Sequence, residues 1–202
     1  MGLLLAGCES AYYGAMEKVG VHKRDILVDR VENAMEAQED AKQEFKDALE
    51  QFSSVVDVPP SKLKSTYESL SDAFEDAEDK AQEVTDRIDA VESVSEALFD
   101  EWREEIGQIS DRGLRSASTR QLQASERQYG ELIKAMRRAE SRMEPVLKTF
   151  RDYVLYLKHN LNAQAIASLK SELSGIESDV AALIREMEIS IDRAKAFVAD
   201  ME

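Results

Sequence analysis

The feature that most constrains this chain is the spacing of its apolar residues, which step by four and three along most of its length. From Leu27 the series runs Val31, Ala34, Ala41, Phe45, Ala48, Phe52 and Val55, with Gln38 its only polar member. After Pro59-Pro60 a second series runs from Leu63 through Tyr67, Leu70, Phe74, Ala77, Ala81, Val84, Ile88 and Val91 to Leu98, Trp102, Ile106 and Ile109, with Ser95 in the stripe. A third spans Leu122 to Leu157 and includes Ser125; a fourth spans Ile166 to Phe197 and includes Ser190. A period near 3.5 keeps one stripe against a partner along a whole helix, whereas a half-buried strand alternates with a period of 2. Flanking residues such as Met35, Leu49, Ile184 and Val198 widen the stripes beyond a two-stranded seam, towards a bundle core. The expectation is an all-α fold: an elongated antiparallel helical bundle or coiled coil of three to four long helices. They fall at about 22–56, 60–110, 118–159 and 163–200, within one domain over 22–202.

The connections fit that reading. Asp57-Val58-Pro59-Pro60-Ser61 stops one helix and starts the next, because proline is tolerated only in a first turn. Residues 110–119 read as a loose, serine-rich break, and His159-Asn160-Leu161-Asn162 as a softer one where the helix ends or bends. Pro145 lies inside the third series and is expected to kink it. Short connections make antiparallel neighbours, hence an up-down-up-down order.

Charge divides unevenly among these segments. The net charge of −15 removes nucleic acid as a partner, since phosphate binding needs a basic footprint. The second segment is strongly acidic between Glu68 and Glu105, while the third is net basic through residues such as Arg127, Arg137, Arg138, Arg142 and Arg151. A basic helix beside an acidic one favours pairing at the edges of the apolar seam.

No reacting constellation emerges. A carboxylate-bridged metal centre in a bundle uses Glu-x-x-His pairs, but Val19 precedes His22 by three residues and Tyr156 precedes His159 by three. No Gly-x-Ser-x-Gly, phosphate-binding glycine loop or His-Glu-x-x-His is present. No catalytic residue, metal or cofactor is expected. Gln38, Ser95, Ser125 and Ser190 read as register devices or tolerated polar residues.

The remaining signal is at the start. Leu5-Ala6-Gly7-Cys8 has the form of a bacterial lipobox, with small residues ahead of a cysteine whose thiol would carry diacylglycerol. A secretory signal needs a basic region and roughly 7–15 apolar residues, so residues 1–8 read as the truncated end of one, and 9–21 as a tether. Glu9, where an aspartate would mark inner-membrane retention, points to the outer membrane. The chain is expected in the bacterial envelope, facing the periplasm.

Val21-His22-Lys23-Arg24-Asp25-Ile26-Leu27-Val28-Asp29-Arg30-Val31, Met143-Glu144-Pro145-Val146-Leu147 and Leu157-Lys158-His159-Asn160-Leu161-Asn162-Ala163 resemble a proteobacterial family defined only as a domain of unknown function. The resemblance covers nearly the whole chain. It implies a helical protein, often a lipoprotein, and carries no activity.

The functional expectation is therefore a non-enzymatic envelope lipoprotein, a helical spacer or interaction module anchored by lipid on Cys8. Its protein partner is unidentified, and self-association through the wide stripes is a further expectation. Up-down order returns Arg112 and Arg115, with Arg120 nearby, to the membrane for headgroup contact. The alternative is a protein whose amphipathic helices open to bind or remodel bilayer.

Overall fold

The structure is a computed structural model that describes Met16 and residues 22–201. Its helices are α1 (Lys23–Asp57), α2 (Leu63–Gln108), α3 (Arg112–His159) and α4 (Ala163–Met201), with one 3-10 turn, Pro60–Lys62, leading into α2. No strand occurs among the described residues. The fold is an all-α bundle in which α1 packs on α2 and α4, and α3 packs on the same two helices. Ion pairs fix the antiparallel sense: Lys23 meets Glu101 at 3.0 Å, whereas Asp40, further along α1, meets the earlier Lys80 at 3.2 Å.

The heptad series is the core. Every stripe residue of α1, Gln38 included, is fully buried. Ala34, Ala37, Ala41 and Ala48 of α1 and Ala77 and Ala81 of α2 are also buried, and small side chains let these two helix backbones approach closely. At the far end Phe52 stands edge-on to Tyr153, with centroids 5.4 Å apart, and tilts against Phe150 at 6.0 Å. Truncating so deeply buried an aromatic ring typically costs about 3–5 kcal/mol.

Charge pairs bridge the seam as the sequence leads one to expect. Arg137 of α3 holds Asp89 and Glu92 of α2 and Glu140 of its own helix, and Arg151 reaches Glu78. These hydrogen bonds, the one to Glu92 foremost, hold the Arg137 guanidinium still more firmly in its charged form.

One boundary differs from expectation. The break over 110–119 shrinks to Ile109–Asp111, and α3 begins at Arg112. Local propensity at Gly113, Ser116 and Ser118 argues for a loop, but Asp111 caps the helix by accepting the Leu114 N–H at 2.8 Å. Contacts to α2 do the rest. At 159–162 the chain ends one helix outright, and the Asn162 carboxamide oxygen caps the next through the N–H groups of Gln164 and Ala165. Pro145 sits within an uninterrupted α3, where it is exposed and its missing hydrogen bond falls on the solvent side.

Candidate functional site

The start of α1, the α2–α3 turn and the end of α4 share one end of the bundle, but the four helices do not stop together. Lys23 is level with Glu101 of α2, and Asp200 of α4 is level with Gln128 of α3, whose amide donates to it at 2.8 Å. The remainder of α2 and α3 therefore continues as a two-helix hairpin, by roughly two turns of α2 and four of α3.

Side chains across the hairpin hold it together. The Trp102 indole N–H donates to Ser118 Oγ at 2.9 Å, and Arg103 pairs with Glu126. Phe99 meets Tyr129 edge-on at 5.5 Å. Burial pushes the Tyr129 hydroxyl above its ordinary range, against the opposing effect of a hydrogen bond with Ser95. At the turn Arg115 Nε donates to the Ile109 carbonyl at 2.9 Å, satisfying an orphan acceptor at the end of α2. A Cβ at Gly113 would lie 3.1 Å from the capping Asp111 carboxylate, so glycine leaves the cap undisturbed.

This assigns the three arginines singled out in the sequence different roles. Arg115 is exposed and turns back to staple the turn through Nε and Nη2. Arg120 is exposed and donates to Ser116, and Arg112 is exposed in the first turn of α3. Between them Leu114 is 65% exposed, the most open large apolar side chain described. Its position at a tip flanked by arginines is a feature that periodicity does not pick out. The signal was available, since Leu114 falls outside every stripe.

On the step where α1 and α4 end, Arg24, Leu98, Trp102, Gln121, Ser125 and Asp200 line a cavity of about 260 Å³. Ser125 therefore faces a cavity rather than the core, unlike the buried Ser95 and Ser190. Among the described residues no group of three or more His, Cys, Asp or Glu is placed to hold a metal ion. None of the described helices is long and apolar enough to cross a membrane. Leu5, Ala6, Gly7, Cys8 and Glu9 lie outside the described residues.

A family model described as a protein of unknown function, DUF2959, matches residues 12–201. The chain belongs to the DUF2959 family. No curated protein and no solved structure matches it. For this DUF2959 chain the site thus rests on its own geometry: a stapled hairpin, an exposed leucine between two arginines, and a cavity at the step behind them.

Proposed function

We propose that this protein is a non-enzymatic lipoprotein of the bacterial envelope, anchored by lipid on Cys8 at the periplasmic face of the outer membrane. It acts there as a helical spacer or protein-interaction module. The observation that carries the reading is topological: α1 starts at the same end of the bundle as the α2–α3 turn. A lipid on Cys8, joined through residues 9–21, draws that end to the bilayer and leaves the Pro59–Pro60 and Asn160–Asn162 connections at the far end. At about 1.5 Å per residue, the 46 residues of α2 span roughly 70 Å. Arg112, Arg115 and Arg120 then supply headgroup contact, with Leu114 among them reaching the interfacial layer. The acidic body, repelled by anionic lipid, favours standing over lying flat.

The test is metabolic labelling of the full gene product with an alkyne fatty acid. Label on the native protein, lost in Cys8→Ser together with membrane fractionation, supports the reading. An unlabelled native protein in the soluble fraction defeats it. Reading the helices as bilayer remodellers has less support, because their apolar stripes are already buried against one another.

A further inference from the structure

Helices α2 and α3 carry matched charge on the faces they turn to solvent. On α3, Arg120, Arg127, Lys134, Ser141 and Lys148 recur every seven residues, and on α2 Asp72, Asp79, Asp86, Ser93 and Asp100 do the same. That period holds each set in one line along its helix, opposite the buried stripe. Arg127, Lys134 and Lys148, with Arg142 beside them, are exposed and make no hydrogen bond or ion pair among the described residues. On α2, Asp79 is equally unpaired, Asp86 accepts only from Gln82, and Asp100 pairs only with Arg103 of its own helix. Four cations left open stand out in a chain of net charge −15, whose Arg137 and Arg151 do find acids on α2. We propose that the outward face of α3 docks on the outward face of α2 in a second copy of this chain, so that copies line up side by side.

The two faces cannot meet within one chain, because both point away from the core. Their heights nonetheless agree. The pairs Arg151–Glu78 and Arg103–Glu126 fix which residues of α2 and α3 stand level. Two copies set side by side at equal height then bring Lys148 to Asp79, Arg142 to Asp86 and Arg127 to Asp100. Each pair falls within about 3 Å along the axis, with no sliding of one copy past the other. The receiving face also has room for long side chains. Asp79, Gln82, Glu83, Asp86, Arg87 and Ala90 line a shallow groove of about 430 Å³. Arg87 is turned to Glu83, which leaves Asp79 and Asp86 to an incoming cation.

The basic face and the acidic face differ, so the contact is head-to-tail: each copy offers one of each, and the row extends with every copy pointing the same way. The wide apolar stripes take no part, since they close on one another within the chain. This inference does not rest on lipid at Cys8, although anchoring in one membrane would hold neighbouring copies at equal height.

Sedimentation velocity on the full chain carrying Cys8→Ser tests it. At about 0.1 M salt the screening length is about 10 Å, which mutes the overall charge but not touching pairs; at about 1 M it is about 3 Å. The weight-average mass should rise about twofold or more with concentration at the lower salt and stay that of a monomer at the higher. Reversing the α3 face (Arg127→Glu, Lys134→Glu, Arg142→Glu and Lys148→Glu together) abolishes the association. Reversing the α2 face (Asp79→Lys, Asp86→Lys and Asp100→Lys together) does the same, and an equimolar mixture of the two variants restores it. If either variant loses helical circular dichroism, the readout becomes a short bismaleimide crosslink between two chains, one with Asp86→Cys and one with Arg142→Cys. Crosslinks from 86 to 142 that outnumber those from 86 to 86 support the row. A native chain that stays monomeric at the lower salt, association that survives either reversal, no recovery on mixing, or 86–86 crosslinks as frequent as 86–142 overturns it.

Discussion

Gln38 offers the sharpest test of how this core is built. It is fully buried within the α1 stripe, and neither its carboxamide oxygen nor its nitrogen has a hydrogen-bond partner among the described residues. Burying an amide without a partner costs about 1–3 kcal/mol on mutational scales. Leucine has nearly the same volume and matches the apolar neighbours Ala34 and Ala41. Gln38→Leu should therefore stabilise the bundle by about 1–3 kcal/mol. For a chain of this size that is a rise in Tm of roughly 3–10 °C. Urea and thermal denaturation followed at 222 nm read the change directly, with the urea slope unchanged. The buried Ser190 hydroxyl is likewise unpartnered, and Ser190→Ala should stabilise by a smaller amount. A double-mutant cycle asks whether the two act independently. A Gln38→Leu protein less stable than the native one would refute the reasoning. It would mean that the amide makes bonds inside the core and is not a tolerated cost of register.

Other perturbations follow from the same geometry. Pro145→Ala restores a hydrogen bond on an exposed face of α3, so unfolding free energy should rise by about 1–3 kcal/mol in chemical denaturation. Arg137→Met leaves Asp89, Glu92 and Glu140 facing one another, and a loss of about 1 kcal/mol that shrinks in high salt is expected; Arg137→Lys recovers part of it, lacking the forked geometry. Glu44 and Glu83 should respond to pH with opposite signs. Burial first, then the charges of Asp76 and Asp47, raises Glu44 above the ordinary glutamate value of 4.5, so its contribution is greatest below that value and is lost as pH rises through the raised one. Glu44→Gln should then stabilise at pH 7, by up to about 0.5 kcal/mol, and have no benefit at pH near 4. Hydrogen bonds from Lys80 and then Arg87 lower Glu83, so its contribution is present above the ordinary value and is lost as pH falls through the lowered one. Glu83→Gln should destabilise at pH 7 and become neutral in strong acid, as read from paired pH–stability curves.

The core was legible because burial in a bundle repeats with the helix: Leu27 to Val55 and Leu132 to Phe150 were assigned by spacing alone and are buried. Spacing was less informative where fewer helices meet. Beyond Val91 the stripe member Ser95 stays buried, but Val94 and Phe99 join it, while Leu98 and Trp102 are only half-buried. The start of α3 was hidden for a different reason. Gly113, Ser116 and Ser118 have low helix propensity, and what overrides it is tertiary: the Asp111 cap, the Arg115 staple and the Trp102–Ser118 bond. Once α3 starts six residues earlier than expected, the hairpin and its exposed Leu114 come into view. Residue type identifies Arg112, Arg115 and Arg120 as one basic group, and all three are exposed, but only the hydrogen bonds show that Arg115 also staples the turn.

The central claim is orientation: the hairpin end at the membrane and the Pro59–Pro60 end away from it. Because lipid would block the thiol of Cys8, a single added cysteine can be labelled in the lipid-anchored protein. Energy transfer to acceptors in the bilayer then measures its height. With Leu114→Cys the label should lie at the headgroup layer. With Lys64→Cys, whose side chain is 82% exposed near the opposite end, it should stand roughly 60–70 Å away. Equal transfer from both positions, or stronger transfer from residue 64, would contradict the account.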